Sequence, residues 1–329
     1  MTYLVERPTL FVVARKNDVI EKYGENIRIR NSNTAELRKK VPAIHVRDIV
    51  VCGDINIDST VIVLAEKYSI PIHFLSNGGK FRASIYFDFS KNVFLRSKQF
   101  EMANNIKTKV DLAINFVQAK IYNQNIALRK IRAKGRLKPN LNKIIDLNVL
   151  RGVEGASAQK YFSIWKIESV IKNKNFKFQG RFKRPATDEV NALLSFCFSL
   201  LHSEIHTQLM IAGLDPFVGF LHEQSFGHSA LASDFLETFR GPVEHFVWKT
   251  LNRKEFDKSE DFERDVRNGT VQLSTKGFKK FFPKWTKFLR TDELNLGYNL
   301  TRLIEIDIRS FVHFLMGDKE EHTPFKWQI

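Results

Sequence analysis

The chain contains very little cysteine. Cys52 and Cys197 are the only two among 329 residues, they are far apart, and both have apolar neighbours. This scarcity excludes iron–sulfur clusters and zinc sites built from several cysteines. Two separate cysteines are typical of reduced core residues, so we expect a cytoplasmic protein.

Long hydrophobic runs are also missing. The longest run, residues 193–201 (LLSFCFSLL), is about half a membrane span and predicts a buried helix. The first residues, MTYLVERPTLFVV, contain Glu6 and Arg7 and lack the basic-then-apolar order of a signal peptide. We therefore expect no membrane partner.

Acidic residues are too few to balance the basic ones. The chain has 52 Lys and Arg against 36 Asp and Glu, which gives a formal net charge of +16 and a pI near 9.7. Residues 1–90 contain 13 basic and 10 acidic residues, so the rest of the chain carries a net charge of +13. This excess predicts a polyanionic partner, such as nucleic acid, bound by the second part of the chain.

The hydrophobic period changes along the chain. Short apolar or alternating runs before residue 90, such as residues 26–30 (NIRIR) and 70–75, predict strands, and residues 58–68 predict one helix. From residue 98 onward, apolar residues recur three and four apart. We therefore predict an α+β protein: a small, mainly β domain over residues 1–90, a linker over 91–97, and a larger all-α domain over 98–329.

Residues 213–240 (GLDPFVGFLHEQSFGHSALASDFLETFR) are the most informative stretch. Asp234 and Glu237 are three apart in a helical pattern, so both carboxylates can face one point. With His222 they would suit Mg²⁺ or Mn²⁺ better than zinc. The alternative is an acidic pair on a solvated helix face and a histidine with an ordinary structural role.

A competent metal site needs a third acid, and Glu154 is the best candidate. The small residues Gly155 and Ala156 follow it and would allow close approach of a backbone or a phosphate. The alternative is an ordinary acid in the first turn of a helix, stabilised by the helix dipole.

Two basic stretches interleave cations with aromatic residues. Residues 172–184 (KNKNFKFQGRFKR) suit phosphates and unpaired bases, although their phenylalanines can equally anchor a surface loop. Residues 276–290 (KGFKKFFPKWTKFLR) are similar, but Pro283 argues against an uninterrupted amphipathic helix. His202 and His206 have zinc-like spacing without a glutamate directly after the first histidine, so we interpret them as incidental.

Several segments together resemble the CRISPR-associated integrases of spacer acquisition. The resemblance covers nearly the whole chain and rests on the order and spacing of IPIHFLSNGG (residues 70–79), Glu154-Gly155 with Tyr161-Phe162, RFKRPATDEVNALLSF (181–196), GLDPFVGFLH (213–222) and LASDFLETFR (231–240). The chain departs from the family pattern at two positions, with Ala186 in place of a second proline and Glu223 in place of a small residue. Neither position is one of the metal ligands that the resemblance implies.

The resemblance implies a site and its ligands. Glu154, His222 and Glu237 would bind Mg²⁺ or Mn²⁺, and Asp234 would lie close by as a further catalytic residue. Asn191 matches a family asparagine near the site. We expect DNA contacts from Asn191 and Tyr161, and from Arg181, Lys183 and Arg184 of the basic loop. Two carboxylates so close together would repel each other without metal, so we expect a raised pKa for at least one.

The resemblance also implies an activity and partners. A 3′-hydroxyl of a short protospacer DNA would attack a phosphodiester at the edge of a CRISPR repeat, assisted by the metal. The partners would be double-stranded DNA, a second copy of the chain paired through the β domain, and the small CRISPR-associated protein two. The alternatives are a metal-dependent endonuclease, a transposon-borne integrase and a non-catalytic DNA-binding scaffold.

Overall fold

The computed structural model describes residues 7–76, 81–87, 92–141, 144–181 and 185–328. The chain forms two compact units, Met1–Phe89 with Phe281–Thr286, and Ser90–Lys280 with Lys287–Ile329. The strands are β1 (Leu10–Val13), β2 (Asp18–Tyr23), β3 (Asn26–Asn31), β4 (Leu37–Pro42), β5 (Ile49–Cys52), β6 (Asn56–Ile57), β7 (Ile72–Leu75), β8 (Phe81–Ile85), β9 (Phe262–Arg264) and β10 (Val271–Leu273). The α-helices are α1 (Ser59–Lys67), α2 (Val93–Asn104), α3 (Ile106–Lys130), α4 (Leu147–Ile167), α5 (Glu189–Ala212), α6 (Ala230–Asn252), α7 (Lys258–Asp261), α8 (Thr275–Arg290) and α9 (Leu300–Met316).

The described strands of the N-terminal unit form two four-stranded sheets. One has the order β1-β5-β7-β8, in which β1, β5 and β7 are parallel and β8 is antiparallel to β7. The other has the order β4-β3-β2-β6, in which β2, β3 and β4 are antiparallel neighbours and β6 is parallel to β2. Helix α1 connects the two sheets and buries Val61, Leu64 and Ala65.

Alternation explains the β2–β3 hairpin. Ile20, Ile27 and Ile29 point inward and are at most 5% exposed. On the other face, Glu21 accepts hydrogen bonds from Arg28 at 2.6 Å and from Arg30 at 2.7 Å. The alternating sequence of β3 predicted that strand. Its partner β2 was not predicted, because the hairpin buries only one face and the other face of β2 carries polar residues.

The C-terminal unit is mainly helical, and the predicted α+β class is confirmed. Asn105 ends α2, and its side chain caps the next helix, α3. Two details of the prediction were wrong. The predicted linker over 91–97 overlaps helix α2, which begins at Val93. The region predicted to be all-helical also contains the antiparallel pair β9–β10.

Helix α8 is continuous through Pro283, contrary to the interruption expected from the sequence. Its apolar side is covered, with Phe281 and Trp285 at most 1% exposed. This stretch therefore does not offer an apolar face to a membrane surface. No helix in the described part of the chain is both long enough and apolar enough to cross a bilayer.

Helices α3 and α6 cross at very short range. Pro242 lacks an N–H, so the carbonyl of Thr238 four residues earlier has no donor within α6. The side-chain amide of Asn123, on α3, donates to that carbonyl at 2.6 Å. Gly241, three residues after Thr238, lies so close to α3 that an added Cβ would come 2.4 Å from the carbonyl oxygen of Asn123.

The segment after α9 closes over this crossing. Asn123 accepts a hydrogen bond from the backbone N–H of Trp327 at 2.7 Å and donates to the carbonyl of Phe325 at 2.9 Å. The rings of Phe325 and Phe239 stack with centroids 4.8 Å apart. Asn123 therefore joins α3, α6 and the chain's last segment at one point.

We predict that Gly241→Ala lowers the free energy of unfolding by roughly 1–3 kcal/mol, because the added methyl group forces α3 and α6 apart. Chemical denaturation monitored by circular dichroism would measure the change. The matched control is Gly152→Ala in α4, where an added Cβ meets nothing within 4 Å. The control should stabilise the helix by about 0.5–1 kcal/mol. Equal effects of both substitutions would contradict the prediction.

A second prediction concerns Asp307 on α9. Its carboxylate is buried 3.6 Å from His322, and burial raises the pKa of Asp307 to about 7. Because the folded pKa lies above the unfolded one, ionisation costs stability as the pH rises from about 4 towards 7. The stability of Asp307→Asn relative to the original chain should therefore grow by about 2 kcal/mol between pH 5 and pH 8. Denaturant unfolding at both pH values tests this, and a difference independent of pH would contradict it.

Candidate active site

The predicted site residues lie on three elements of the C-terminal unit. Glu154 is on α4, Asp234 and Glu237 are on α6, and His222 is on the loop between α5 and α6. The loop begins after Gly213, which ends α5 in the left-handed conformation with φ 89°. Glycine is favoured in this conformation because it has no Cβ.

Helix α2 holds the first part of the loop. Gln99 is fully buried, and its amide donates to the carbonyls of Asp215 at 2.8 Å and Val218 at 2.9 Å. Its carbonyl accepts from the backbone N–H of Asp215 at 2.9 Å. At Gly219, an added Cβ would come 2.8 Å from the carboxylate of Asp234. The loop can therefore approach α6 closely only with glycine at this position.

Asp234 holds the second part of the loop. Its two oxygens accept hydrogen bonds from the backbone N–H groups of Phe220 at 2.6 Å, Leu221 at 3.1 Å and His222 at 2.9 Å. One of them also lies 2.7 Å from Nδ1 of His222. The carboxylate is fully buried, and both oxygens are occupied by the loop. Its geometry is that of a positioning residue rather than of a group that touches a substrate.

The contact with Asp234 fixes the state of His222. A ring nitrogen held by a carboxylate carries its proton there and leaves the lone pair on the other nitrogen, which is the arrangement of many metal-binding histidines. Burial alone would lower the pKa of His222, but the hydrogen bond and charge of Asp234, with the charge of Glu237, raise it. The side chain is 33% exposed, so it remains accessible from solvent.

Glu154 and Glu237 converge on a cation that the sequence prediction missed. Lys120, on α3, forms ion pairs with Oε1 of Glu154 and, at 2.5 Å, with Oε2 of Glu237. Oε2 of Glu237 also lies 2.8 Å from Nε of Arg240. Lys120 and Glu237 are at most 4% exposed, whereas a quarter of the Glu154 side chain is open to solvent.

These cations overturn the expected pKa shift. Burial alone would raise the pKa of Glu237, but the charges of Arg240, Lys120 and His222 outweigh burial and hold it well below its ordinary value. The expectation of a raised pKa was therefore wrong for Glu237. It assumed that the two carboxylates face each other without a cation between them.

The donor set suits a divalent ion in part. Two carboxylate oxygens bind the same point charge, which is the arrangement that a hard cation such as Mg²⁺ or Mn²⁺ needs. Within the described residues, however, no three His, Cys, Asp or Glu side chains come close enough together to hold one ion as they stand. Glu154 and Glu237 thus form a two-carboxylate site, and His222 is an electrostatic neighbour of Glu237.

A cavity of about 410 Å³ opens beside the two acids. It is lined by Lys120, Glu154, Lys166, Arg181 and Arg240, together with the ring of Phe162 and with polar and small residues. Its four cations outnumber the two carboxylates paired with them, Glu154 and Glu237, so this cavity has a positive field. This field would attract a phosphate group.

Two of the residues expected to bind DNA are buried. Tyr161 is fully buried, and burial raises the pKa of its hydroxyl well above the ordinary value. Asn191 is also fully buried, and its amide donates to the carbonyl of Gly180 at 2.8 Å and to Asp188 at 2.6 Å. In this arrangement both side chains contribute to the packing and hydrogen bonding of the helical core, and DNA contact by either one stays a prediction.

The basic loop gives a mixed outcome. Phe176 and Phe178 are at most 9% exposed, so the base-stacking interpretation was wrong for them and they anchor the loop. Arg181 lines the cavity, where its guanidinium donates to Asn191 at 2.8 Å and burial lowers its pKa to about 10. The predicted DNA contacts Lys183 and Arg184 lie outside the described residues.

The residues that the prediction missed left a weak signal. Lys120 follows Phe116 and Val117 on the apolar side of α3, where a lysine needs a partner to be buried. Arg240 follows Glu237 by three residues, a spacing that allows an ion pair. Neither signal identifies which distant residue is the partner.

His206 packs beneath the loop, with its ring nitrogen 2.9 Å from the hydroxyl of Ser229.

Comparison with known proteins relates this arrangement to one family. Residues 11–287 match the family described as CRISPR associated protein Cas1. CRISPR-associated endonuclease Cas1 3 of Thermus thermophilus is 32% identical over 315 residues, which are 93% of each chain. CRISPR-associated endonuclease Cas1 1 of Thermodesulfovibrio yellowstonii is 32% identical over 270 residues, which are 76% of this chain and 83% of that protein.

Solved structures share the fold. A CAS1 protein from Thermotoga maritima superposes with a TM-score of 0.81 at 23% identity, covering 95% of this chain and 97% of that one. A casposase bound to its integration product superposes with a TM-score of 0.85 at 22% identity, covering 98% of this chain and 94% of that one.

We predict that Asp234→Asn destabilises the fold by roughly 2–4 kcal/mol, because one amide oxygen cannot accept all the bonds that two carboxylate oxygens accept. The matched control is Glu223→Gln, since Glu223 lies on the same loop with 76% of its side chain exposed. The control should change stability by no more than about 0.5 kcal/mol. Urea unfolding would measure both variants, and losses of equal size would count against a positioning role for Asp234.

Proposed function

This chain belongs to the Cas1 family of CRISPR-associated proteins, and from that premise we propose that it is a metal-dependent DNA integrase. In the proposed reaction, the 3′-hydroxyl of a short foreign DNA attacks a phosphodiester at the edge of a CRISPR repeat. One phosphorus–oxygen bond forms as another breaks, and the leaving oxygen takes up a proton. The relatives are named endonucleases. An endonuclease cleaves the same type of bond, with water as the attacking group.

The observation that carries the proposal is the convergence of Glu154 and Glu237 on one cation at the edge of a basic cavity. In the proposed site, these carboxylates hold Mg²⁺ or Mn²⁺, and His222, which does not converge with them in the metal-free arrangement, would become the third ligand when the ion binds. A bound divalent ion would polarise the phosphoryl oxygen and lower the pKa of the attacking hydroxyl. Asp234 keeps His222 in the tautomer that such a ligand requires.

The cations of the cavity complete the proposal. Lys166 is exposed, whereas Arg181 and Arg240 are held by neighbouring side chains, so their charges have fixed positions. Arg240 also lies 4.5 Å from the ring centroid of Phe198. Fixed positive groups beside the acids would orient the scissile phosphate and stabilise the charge that develops on it. The net charge of +13 after residue 90 would hold the rest of the DNA by its backbone.

The proposed partners follow from the family and remain proposals. They are double-stranded protospacer and repeat DNA, a second copy of this chain, and the small CRISPR-associated protein two, in the cytoplasm. A solved Cas6-RT-Cas1–Cas2 complex shares the fold, with a TM-score of 0.79 at 18% identity over 99% of this chain and 37% of that one.

We predict that Glu154→Gln, His222→Ala and Glu237→Gln each lower strand transfer at least about 100-fold per folded molecule, because each removes a proposed ligand. The assay incubates the protein with a labelled short duplex, a repeat-bearing plasmid and Mn²⁺ or Mg²⁺. DNA affinity should remain within about threefold, since most of the DNA contacts lie elsewhere.

The matched control is Glu263→Gln, an exposed acid on β9 that should keep full strand transfer. Cleavage of the plasmid without joining would identify the chain as an endonuclease. Joining at sites without a repeat would point to a transposon-type integrase. Full activity of the ligand variants would refute the site, and DNA binding without any strand breakage in the unmodified protein would leave only a scaffold.

A further inference from the structure

Lys120 is the least expected group in the site. It is a lysine with 3% of its side chain exposed, and its ammonium lies between the two carboxylates that are proposed to bind metal. A buried lysine is costly unless it is paired and hydrogen-bonded. Among the residues that the structure describes, the ion-pair partners of Lys120 are these two carboxylates, and both belong to the site. Its position is therefore a property of the site rather than of the surrounding core.

Each of the two carboxylates has a cationic partner without any metal. Glu154 is paired with Lys120, and Glu237 is paired with Lys120 and Arg240. Without Lys120, the two carboxylates would share one arginine and would repel each other.

A divalent ion and the ammonium of Lys120 compete for the same oxygens. An ion bound to both carboxylates would lie about 2.0–2.3 Å from each oxygen, which is close to where the ammonium now lies. Two cations cannot share that space, because their repulsion is large in a poorly solvated interior. Arg240 contacts the same oxygen of Glu237 at 2.8 Å, and its guanidinium rests on the ring of Phe198, which holds it in place when Lys120 leaves.

We propose that Lys120 is the resident counter-ion of this site, which a divalent cation must displace before the site can act. The inference rests on the proposed metal-dependent function. Displacement needs only rotation about the flexible lysine stem, and the adjoining cavity gives the ammonium a place to go. There it joins the cations that face a DNA phosphate. Lys120 is thereby a positioning residue that links metal binding to phosphate binding.

Metal affinity provides the first test. Mn²⁺ is titrated into the DNA-free protein by calorimetry. Lys120→Met keeps an unbranched side chain as far as Cε and removes the competing charge, so the Kd for Mn²⁺ should fall roughly tenfold or more. The matched control is Lys166→Met, which removes a cation from the same cavity without touching an ion pair of either acid within the described residues. Its Kd should change by less than about threefold, since an exposed charge is screened by solvent.

Stability without metal provides a second, independent test. In the original chain, Glu154→Gln should lower the melting temperature, because it leaves Lys120 with one partner fewer. In the Lys120→Met background, the same substitution should raise the melting temperature by roughly 3 °C or more, because it removes the repulsion between the acids. This reversal of sign is specific to direct coupling between Lys120 and Glu154. Additive effects would overturn the inference.

The outcomes separate this inference from the proposed function. If the original chain and Lys120→Met bind Mn²⁺ equally, or if the variant binds it more weakly, Lys120 is not a competitor and the inference fails while metal-dependent integration stands. If only Lys120→Met binds Mn²⁺, the inference holds and the metal-dependent function of the original chain fails. If neither protein binds Mn²⁺, the inference fails as well.

A measurement on the original chain covers the case in which Lys120→Met does not fold. Brief acetylation with and without Mn²⁺, followed by mass spectrometry, compares the reactivity of Lys120 with that of Lys166. A displaced ammonium leaves its buried ion pairs, so acetylation of Lys120 should rise severalfold with Mn²⁺ while that of Lys166 stays constant. Unchanged labelling of Lys120 in a protein that binds Mn²⁺ would overturn the inference.

Discussion

The close crossing of α3 and α6 is the constraint on which the site depends. Pro242 leaves the carbonyl of Thr238 without a donor in its own helix, and Asn123 supplies the missing hydrogen bond from α3. Lys120 lies just under one turn before Asn123, and Glu237 directly precedes Thr238. The hydrogen bond from Asn123 to the carbonyl of Thr238 therefore also fixes the distance between Lys120 and Glu237.

Around that crossing, the site divides its work between rigid and open groups. Asp234 and Gln99 are fully buried, and their hydrogen bonds hold the loop that carries His222. His222 and Glu154 keep part of their surface open to solvent. The supporting groups stabilise the fold by accepting and donating bonds within it, which leaves the exposed groups available for chemistry.

The sequence predicted the parts of this arrangement that depend on local period. The change near residue 90 gave the α+β division, and the spacing of Asp234 and Glu237 placed both on one side of α6. Spacing could not distinguish their roles, because Asp234 turns to the loop while Glu237 turns to Lys120. The sequence suggested DNA contact for Tyr161, yet the packing of α4 buries it completely. Burial and distant pairing depend on tertiary structure, which one-dimensional patterns do not contain.

The bonds of Asn123 have a consequence for biosynthesis. Its partner Phe325 is 202 residues further along the chain, so the ribosome must synthesise all of α4 to α9 before this hydrogen bond can form. The crossing of α3 and α6 stays incompletely bonded during that interval, since long-range contacts form only after the intervening chain is available. Completion of the site therefore depends on a segment that is synthesised 202 residues after Asn123.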